Sequence, residues 1–120
     1  MSQQGSTEES RAVATAYFEA WRGRDWESLR STLADDVEFE GVLATTHGAD
    51  ETLAGLQGMA QSILQELRLH ARVADGQDVI TWFDLVTQSG AVLPTANWSH
   101  VENGKITRIR VTFDPTPLNP

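Results

Sequence analysis

Tyr17, Asp84 and Asn97 are the side chains of this 120-residue chain whose types and settings suit chemistry. Tyr17 falls in the series Val13, Ala16, Tyr17, Ala20, Trp21, whose three- and four-residue steps predict a helix with its phenol on the buried face. Aliphatics are usual there, so a phenol beside an indole suggests the wall of a pocket. Asp84 interrupts an apolar run from Val79 to Val86. On an apolar wall, desolvation would raise its pKa and suit it to general acid or base work near neutrality. Asn97 adds a neutral hydrogen-bonding group. If the register of the strand around Asp84, which alternation leaves open, put all three in one pocket, such a trio would suit protonation, deprotonation or water activation at a carbonyl or epoxide, with Tyr17 or Asn97 stabilising negative charge on oxygen. Each residue also has a plainer reading. Tyr17 is then a core tyrosine bonded to backbone, Asp84 faces solvent or an arginine in the opposite register, and Asn97 bonds backbone near Pro94.

Other chemistries find little support. There is no cysteine, no Gly-rich phosphate loop, no His-x-x-x-His pair and no nucleophile elbow. His47, His70 and His100 lie far apart and on different predicted faces, so neither a metal site nor a cofactor is expected. A net charge of −8 without any Lys/Arg run argues against nucleic acid and anionic membranes as partners. The apolar runs are too short to span a bilayer, and Met1 to Ser10 lacks the features of a signal peptide, so a soluble, cytoplasmic protein is expected.

The elements that must position these residues fit one domain over 1–120, with frayed ends at 1–7 and 115–120. Ser6 and Glu9 have capping-box spacing and predict helix one over 7–22. Gly23 ends it, and Asp25 caps a second helix carrying Trp26, Leu29 and Leu33. Val37 to Gly41 reads as a short half-buried strand and Thr45 to Asp50 as a polar loop. A third helix then carries Leu53, Leu56, Ala60, Ile63, Leu64 and Leu67.

From Leu67 the period changes to two. Leu67, Leu69, Ala71 and Val73 alternate with Arg68, His70 and Arg72, giving a strand with one wet face. Strands over Asp78–Thr87, Thr95–Glu102 and Lys105–Phe113 follow, joined by turns at Asp75-Gly76, Ser89-Gly90 and Asn103-Gly104. Helices first and an antiparallel meander second make an α+β fold.

That order, with Ala34-Asp35-Asp36 before a short strand, Gly48 opening the third helix and Asn103-Gly104-Lys105-Ile106 before the last strand, resembles the nuclear-transport-factor-2-like superfamily over roughly residues 8–114. Ketosteroid isomerases, limonene epoxide hydrolases and SnoaL-like polyketide cyclases belong to it. The resemblance implies a cone of curved, mostly antiparallel sheet wrapped around three N-terminal helices, an apolar pocket, and a homodimer packed through the outer sheet face. It places Tyr17 where the isomerases keep their oxyanion-binding phenol. It places Gly41, which has no side chain, at their carboxylate base, and Asn97 at their second oxyanion donor. The hydrolases' Arg and Asp on the central strand fall at Trp82 and Asp84, and their acid on the last strand falls at Val111.

Alternation in the last strand buries Ile109, Val111 and Phe113 and turns Arg108, Arg110 and Thr112 outward. Thr95, Asn97, Ser99 and Val101 are assigned to the pocket side, with Trp98 and His100 on the outer face, where an outward Trp fits a dimer interface. On the central strand both faces are apolar, and only the resemblance selects Trp82 and Asp84 for the pocket. The expected site is therefore catalytic Asp84, Tyr17 and Asn97, with a ligand wall of Trp21, Trp26, Phe39, Leu56, Met59, Trp82, Ser99, Val111 and Phe113. The expected ligand is a small apolar or polycyclic oxygenated molecule, and the expected activity that of an isomerase, cyclase or hydrolase. A non-catalytic carrier or sensor and a protein-interaction module are the alternatives.

Overall fold

The computed structural model describes residues 3–118. They form helices α1 (Gln3–Arg22), α2 (Trp26–Thr32) and α3 (Ala49–Ser62), and strands β1 (Leu33–Glu40), β2 (Thr45–His47), β3 (Leu64–Asp75), β4 (Asp78–Thr87), β5 (Val92–Glu102) and β6 (Lys105–Thr112). The strands make one curved, unclosed sheet in the order β2-β1-β6-β5-β4-β3. The last four strands are the expected antiparallel meander, while β1 lies parallel to β6 and β2 folds back on β1. The α+β expectation holds.

α1 begins upstream of the expected cap. Ser6 and Glu9 lie inside the helix, so the stretch expected to fray is helical from Gln3. Thr7 Oγ1 accepts the Gly76 N–H at 2.8 Å and ties the first turns to the β3-β4 turn. Residues 1–2 and 119–120 of the expected frayed ends lie outside the described residues. At the other end Arg24, not Gly23, takes the left-handed conformation, with φ 53°. The Asp25 N–H donates to Ala20 O at 2.8 Å and the Arg24 N–H to Trp21 O at 3.1 Å, the paired bonds of a Schellman stop. Asp25 then caps α2 as expected, accepting from the Ser28 N–H at 3.2 Å.

α3 ends at Ser62, so Leu64 and Leu67 belong to β3 and not to the third helix. A register irregularity between Leu64 and Glu66 lets two strand residues three apart both face inward. That spacing imitates a helix. A second irregularity leaves His70 unpaired between Leu69, opposite Phe83, and Ala71, opposite Trp82. One extra residue reverses the alternation beyond it. Arg72 consequently turns inward, where Nε donates to Thr81 Oγ1 at 3.0 Å, a terminal nitrogen donates to Thr15 Oγ1 at 2.7 Å, and the guanidinium sits 5.1 Å over the Phe18 ring. Val73, expected on the buried face, is 65% exposed.

The β5-β6 hairpin turns at Asn103 (φ 52°) and Gly104 (φ 75°), the two positive angles of a type I′ turn. The core lies between the helices and the concave sheet face. There Phe18 of α1 meets Phe83 of β4 edge to face, their ring centroids 5.3 Å apart, and Tyr17 meets Phe18 the same way at 5.0 Å. Leu118, in the short turn Thr116–Leu118, packs against this core.

Candidate ligand-binding cavity

A cavity of about 220 Å³ opens between α1, α3 and the concave sheet. α1 supplies Tyr17 and Trp21, one helical turn apart so that both rings share a face. α3 supplies Leu56 and Met59, also on one face. Alternation delivers Phe83 and Leu85 from β4, Asn97 from β5 and Val111 from β6, with Phe113 just beyond it. Gly41 to Ala44, between β1 and β2, closes the rim through a bond from the Gly41 N–H to Ala44 O at 2.9 Å.

The lining contains no Asp, Glu, Lys, Arg or His. Its hydroxyls on Thr46 and Thr52 bond each other at 2.8 Å, and Ser62 Oγ donates to Gly58 O. Asn97 is 1% exposed, and its Oδ1 accepts from Ser99 Oγ at 3.0 Å rather than bonding backbone near Pro94. Two buried polar atoms of the lining have no partner, Tyr17 Oη and Trp21 Nε1. Each such orphan costs roughly 1–3 kcal/mol, which folded proteins rarely leave uncompensated. Burial pushes the Tyr17 phenol well above its ordinary range, because no neighbour stabilises the phenolate. Tyr17 is a standing hydrogen-bond donor at neutral pH and not a base.

Tyr17, Trp21, Phe39, Leu56, Met59, Asn97, Val111 and Phe113 thus meet in one cavity. Four expected residues do not line it. Asp84 and Trp82 face outward, since β4 turns Val79, Thr81, Phe83 and Leu85 to the core. Asp84 Oδ2 lies 2.8 Å from His70 Nε2 on the outer face, and Trp82 is 45% exposed. The two faces of β4 read alike in sequence because the outer one also carries large apolar side chains. The packing of Phe18 on Phe83 sets the register. Trp26 packs at the edge of the core on α2 instead of lining the cavity. Ser99 is buried one strand step from Asn97 and reaches the site only through that side chain.

Gly41 has its own local cause. A Cβ there would stand 2.8 Å from Phe39 Cε1 and 3.4 Å from Ala44 O, so the Phe39 ring occupies the space a side chain would need. Sequence reasoning missed Phe83 and Leu85 by choosing the other face of β4, and missed Thr46 and Thr52, whose only signal is their position flanking the helix start at Gly48. Beyond the cavity, Asp78 accepts from His100 Nδ1 at 2.8 Å and from Trp98 Nε1 at 3.0 Å on the outer face. The His100 bond, first of all, holds the Asp78 carboxyl below its ordinary range. Among the described residues, no group of three His, Cys, Asp or Glu side chains is placed to hold a metal ion, and no helix is long and apolar enough to cross a membrane.

This fold recurs in solved structures. An NTF2-like protein of unknown function from Cytophaga hutchinsonii superposes with a TM-score of 0.83 at 22% identity, covering 92% of this chain and 95% of that one. An LEH-like epoxide hydrolase of M. tuberculosis gives 0.79 at 25% identity, covering 92% and 86%. A de novo designed protein with a curved β-sheet gives 0.79 at 23% identity, covering 91% and 88%. No curated protein matches the chain in sequence. Residues 14–109 match the SnoaL-like domain, most of the chain, and with the helices-then-curved-sheet architecture this places the protein in the SnoaL-like family of the nuclear-transport-factor-2-like superfamily.

Proposed function

We propose that this protein binds a small, largely apolar oxygenated molecule in the cone cavity and acts as its carrier or sensor. The observation that carries the reading is a nearly apolar cavity, without any carboxylate, imidazole or cation in its lining, beside which the Tyr17 hydroxyl is buried without a partner. Apolar walls supply the affinity and one or two polar groups fix the orientation, the usual division of labour in small-molecule sites. Mass spectrometry of the protein purified under native conditions tests it. A stoichiometric apolar molecule, released on denaturation and rebound with an affinity that Tyr17→Phe weakens, is the expected result; a cavity that takes up only water and no such molecule overturns it.

A catalytic reading is favoured by one observation, the pairing of a permanently protonated Tyr17 with Asn97 across the same cavity. Both are hydrogen-bond donors of the kind that stabilises developing negative charge on a substrate oxygen. Proton transfer would then run through the substrate or a water, because Asp84 is on the far side of the sheet. Asp84→Asn separates this placement from the one the central-strand resemblance implies. Ligand affinity and any turnover are expected to stay within about twofold of the natural chain, and a loss of tenfold or more would return Asp84 to the site.

The outer sheet face suits a homodimer. Val73, Ile80 and Trp82 are respectively 65%, 44% and 45% exposed and adjacent across β3 and β4. Polar pairs surround them, His70 with Asp84 and Arg110 with Glu40 at 3.4 Å. An apolar centre with a charged rim has the anatomy of an association surface.

A further inference from the structure

We infer that Trp21 is a second hydrogen-bond donor to the ligand, and that Trp21 and Tyr17 together favour a neutral molecule that carries an acceptor oxygen, such as a ketone, lactone or ether. This rests on the cavity being the ligand site. The argument is a count of hydrogens. Trp21 Nε1 donates only, is buried and has no partner. Tyr17 Oη stays protonated and has no partner either. Asn97 Oδ1 accepts from Ser99 Oγ and keeps a second lone pair, so Asn97 can both donate and accept and does not discriminate. The remaining side-chain hydroxyls of the lining already bond each other or backbone. The two polar atoms of the lining left without any partner, Tyr17 Oη and Trp21 Nε1, therefore each have a hydrogen to place.

The two orphans sit one helical turn apart, with ring centroids 6.2 Å apart and planes tilted by 48°. A carbonyl oxygen carries two lone pairs and can relieve both donors at once. A carboxylate fares worse, because no cation lines the cavity to compensate a buried anion.

The test uses a matched pair of bicyclic ligands, trans-2-decalone and decalin, titrated by calorimetry against the natural chain, Trp21→Phe and Tyr17→Phe. Decalone is expected to bind about tenfold tighter than decalin. Each variant is expected to lose most of that preference, read as the ratio of its own decalone and decalin affinities, and its circular dichroism spectrum certifies that it folds. The infrared carbonyl stretch of decalone bound to the natural chain gives a readout that needs no variant. It should lie at lower frequency than in hexane and move back part of the way in Trp21→Phe. Equal affinities for decalone and decalin, or a carbonyl frequency matching hexane, overturn the inference and leave the cavity as a binding site. Failure of both ligands to bind would overturn the binding site as well, and this inference with it.

Discussion

Tyr17 concentrates the physics of the site in one hydroxyl. Its ring is fully buried and packs against Phe18 and Trp21, while its oxygen has no partner. Tyr17→Phe keeps the packing and removes the orphan, so the free protein is expected to gain about 1 kcal/mol of stability in urea denaturation. A buried tyrosine bonded to backbone would lose stability instead, which makes the sign decisive. The same residue sets an alkaline limit. Its folded pKa lies above the unfolded value of about 10, so its contribution is intact below that pH and is lost progressively as pH rises from there. Denaturation series from pH 8 to 11 should show the natural chain weakening above about pH 10, with a shallower decline in Tyr17→Phe. Stability surrendered for ligand contact is a familiar exchange at functional sites.

Among the elements, β3 departs furthest from its sequence pattern, and His70 is the cause. With strict alternation Arg72 would be wet and Val73 buried; the unpaired His70 reverses both. Arg72 then spans α1 and β4 through Thr15 and Thr81, and its desolvated guanidinium has its pKa lowered. Arg72→Ala strips two hydroxyls of a partner and uncovers the Phe18 ring, and is expected to cost about 2 kcal/mol by thermal or urea unfolding. Arg72→Met keeps the apolar stem and should recover part of that loss. Equal stability of Arg72→Ala and the natural chain would mean that the inward arginine contributes nothing to the α1-β4 contact. His70 and Asp84 pair on the outer face, where alternation of each strand up to the bulge already puts them.

At the scale of the molecule the sheet divides two roles between its faces. The concave face holds the cavity, and the convex face exposes Val73, Ile80 and Trp82, the patch proposed above for a second copy. Trp82→Glu places a charge at the centre of that patch. Sedimentation velocity is expected to find a dimer for the natural chain and a monomer for the variant, with ligand affinity unchanged because Trp82 does not line the cavity. A natural chain that sediments as a monomer throughout would remove the dimer reading. The similarity to a designed curved-sheet protein fits this division, because the fold sets up a concave face and side chains decide what it does.

Much of this was legible in the chain itself. Periodicity located both N-terminal helices, the meander and the Asn103-Gly104 turn, and strand alternation placed Asn97 and Val111 on the concave side, since each pattern is local and one face of it is polar. Tyr17 was identifiable because a phenol on a buried helical stripe is chemically conspicuous. What stayed hidden were features without local contrast. β4 is apolar on both faces, so only the packing of Phe18 on Phe83 could turn Asp84 outward. The His70 bulge and the irregularity after Leu64 exist only in the pairing of β3 with β4. Sequence by itself determined the order of elements, the apolar character of the concave face and the presence of Tyr17 on it. Tertiary structure decided which carboxylate lines the cavity there, and among the described residues the answer is none, because facing is fixed by strand pairing between distant residues and not by the residues themselves.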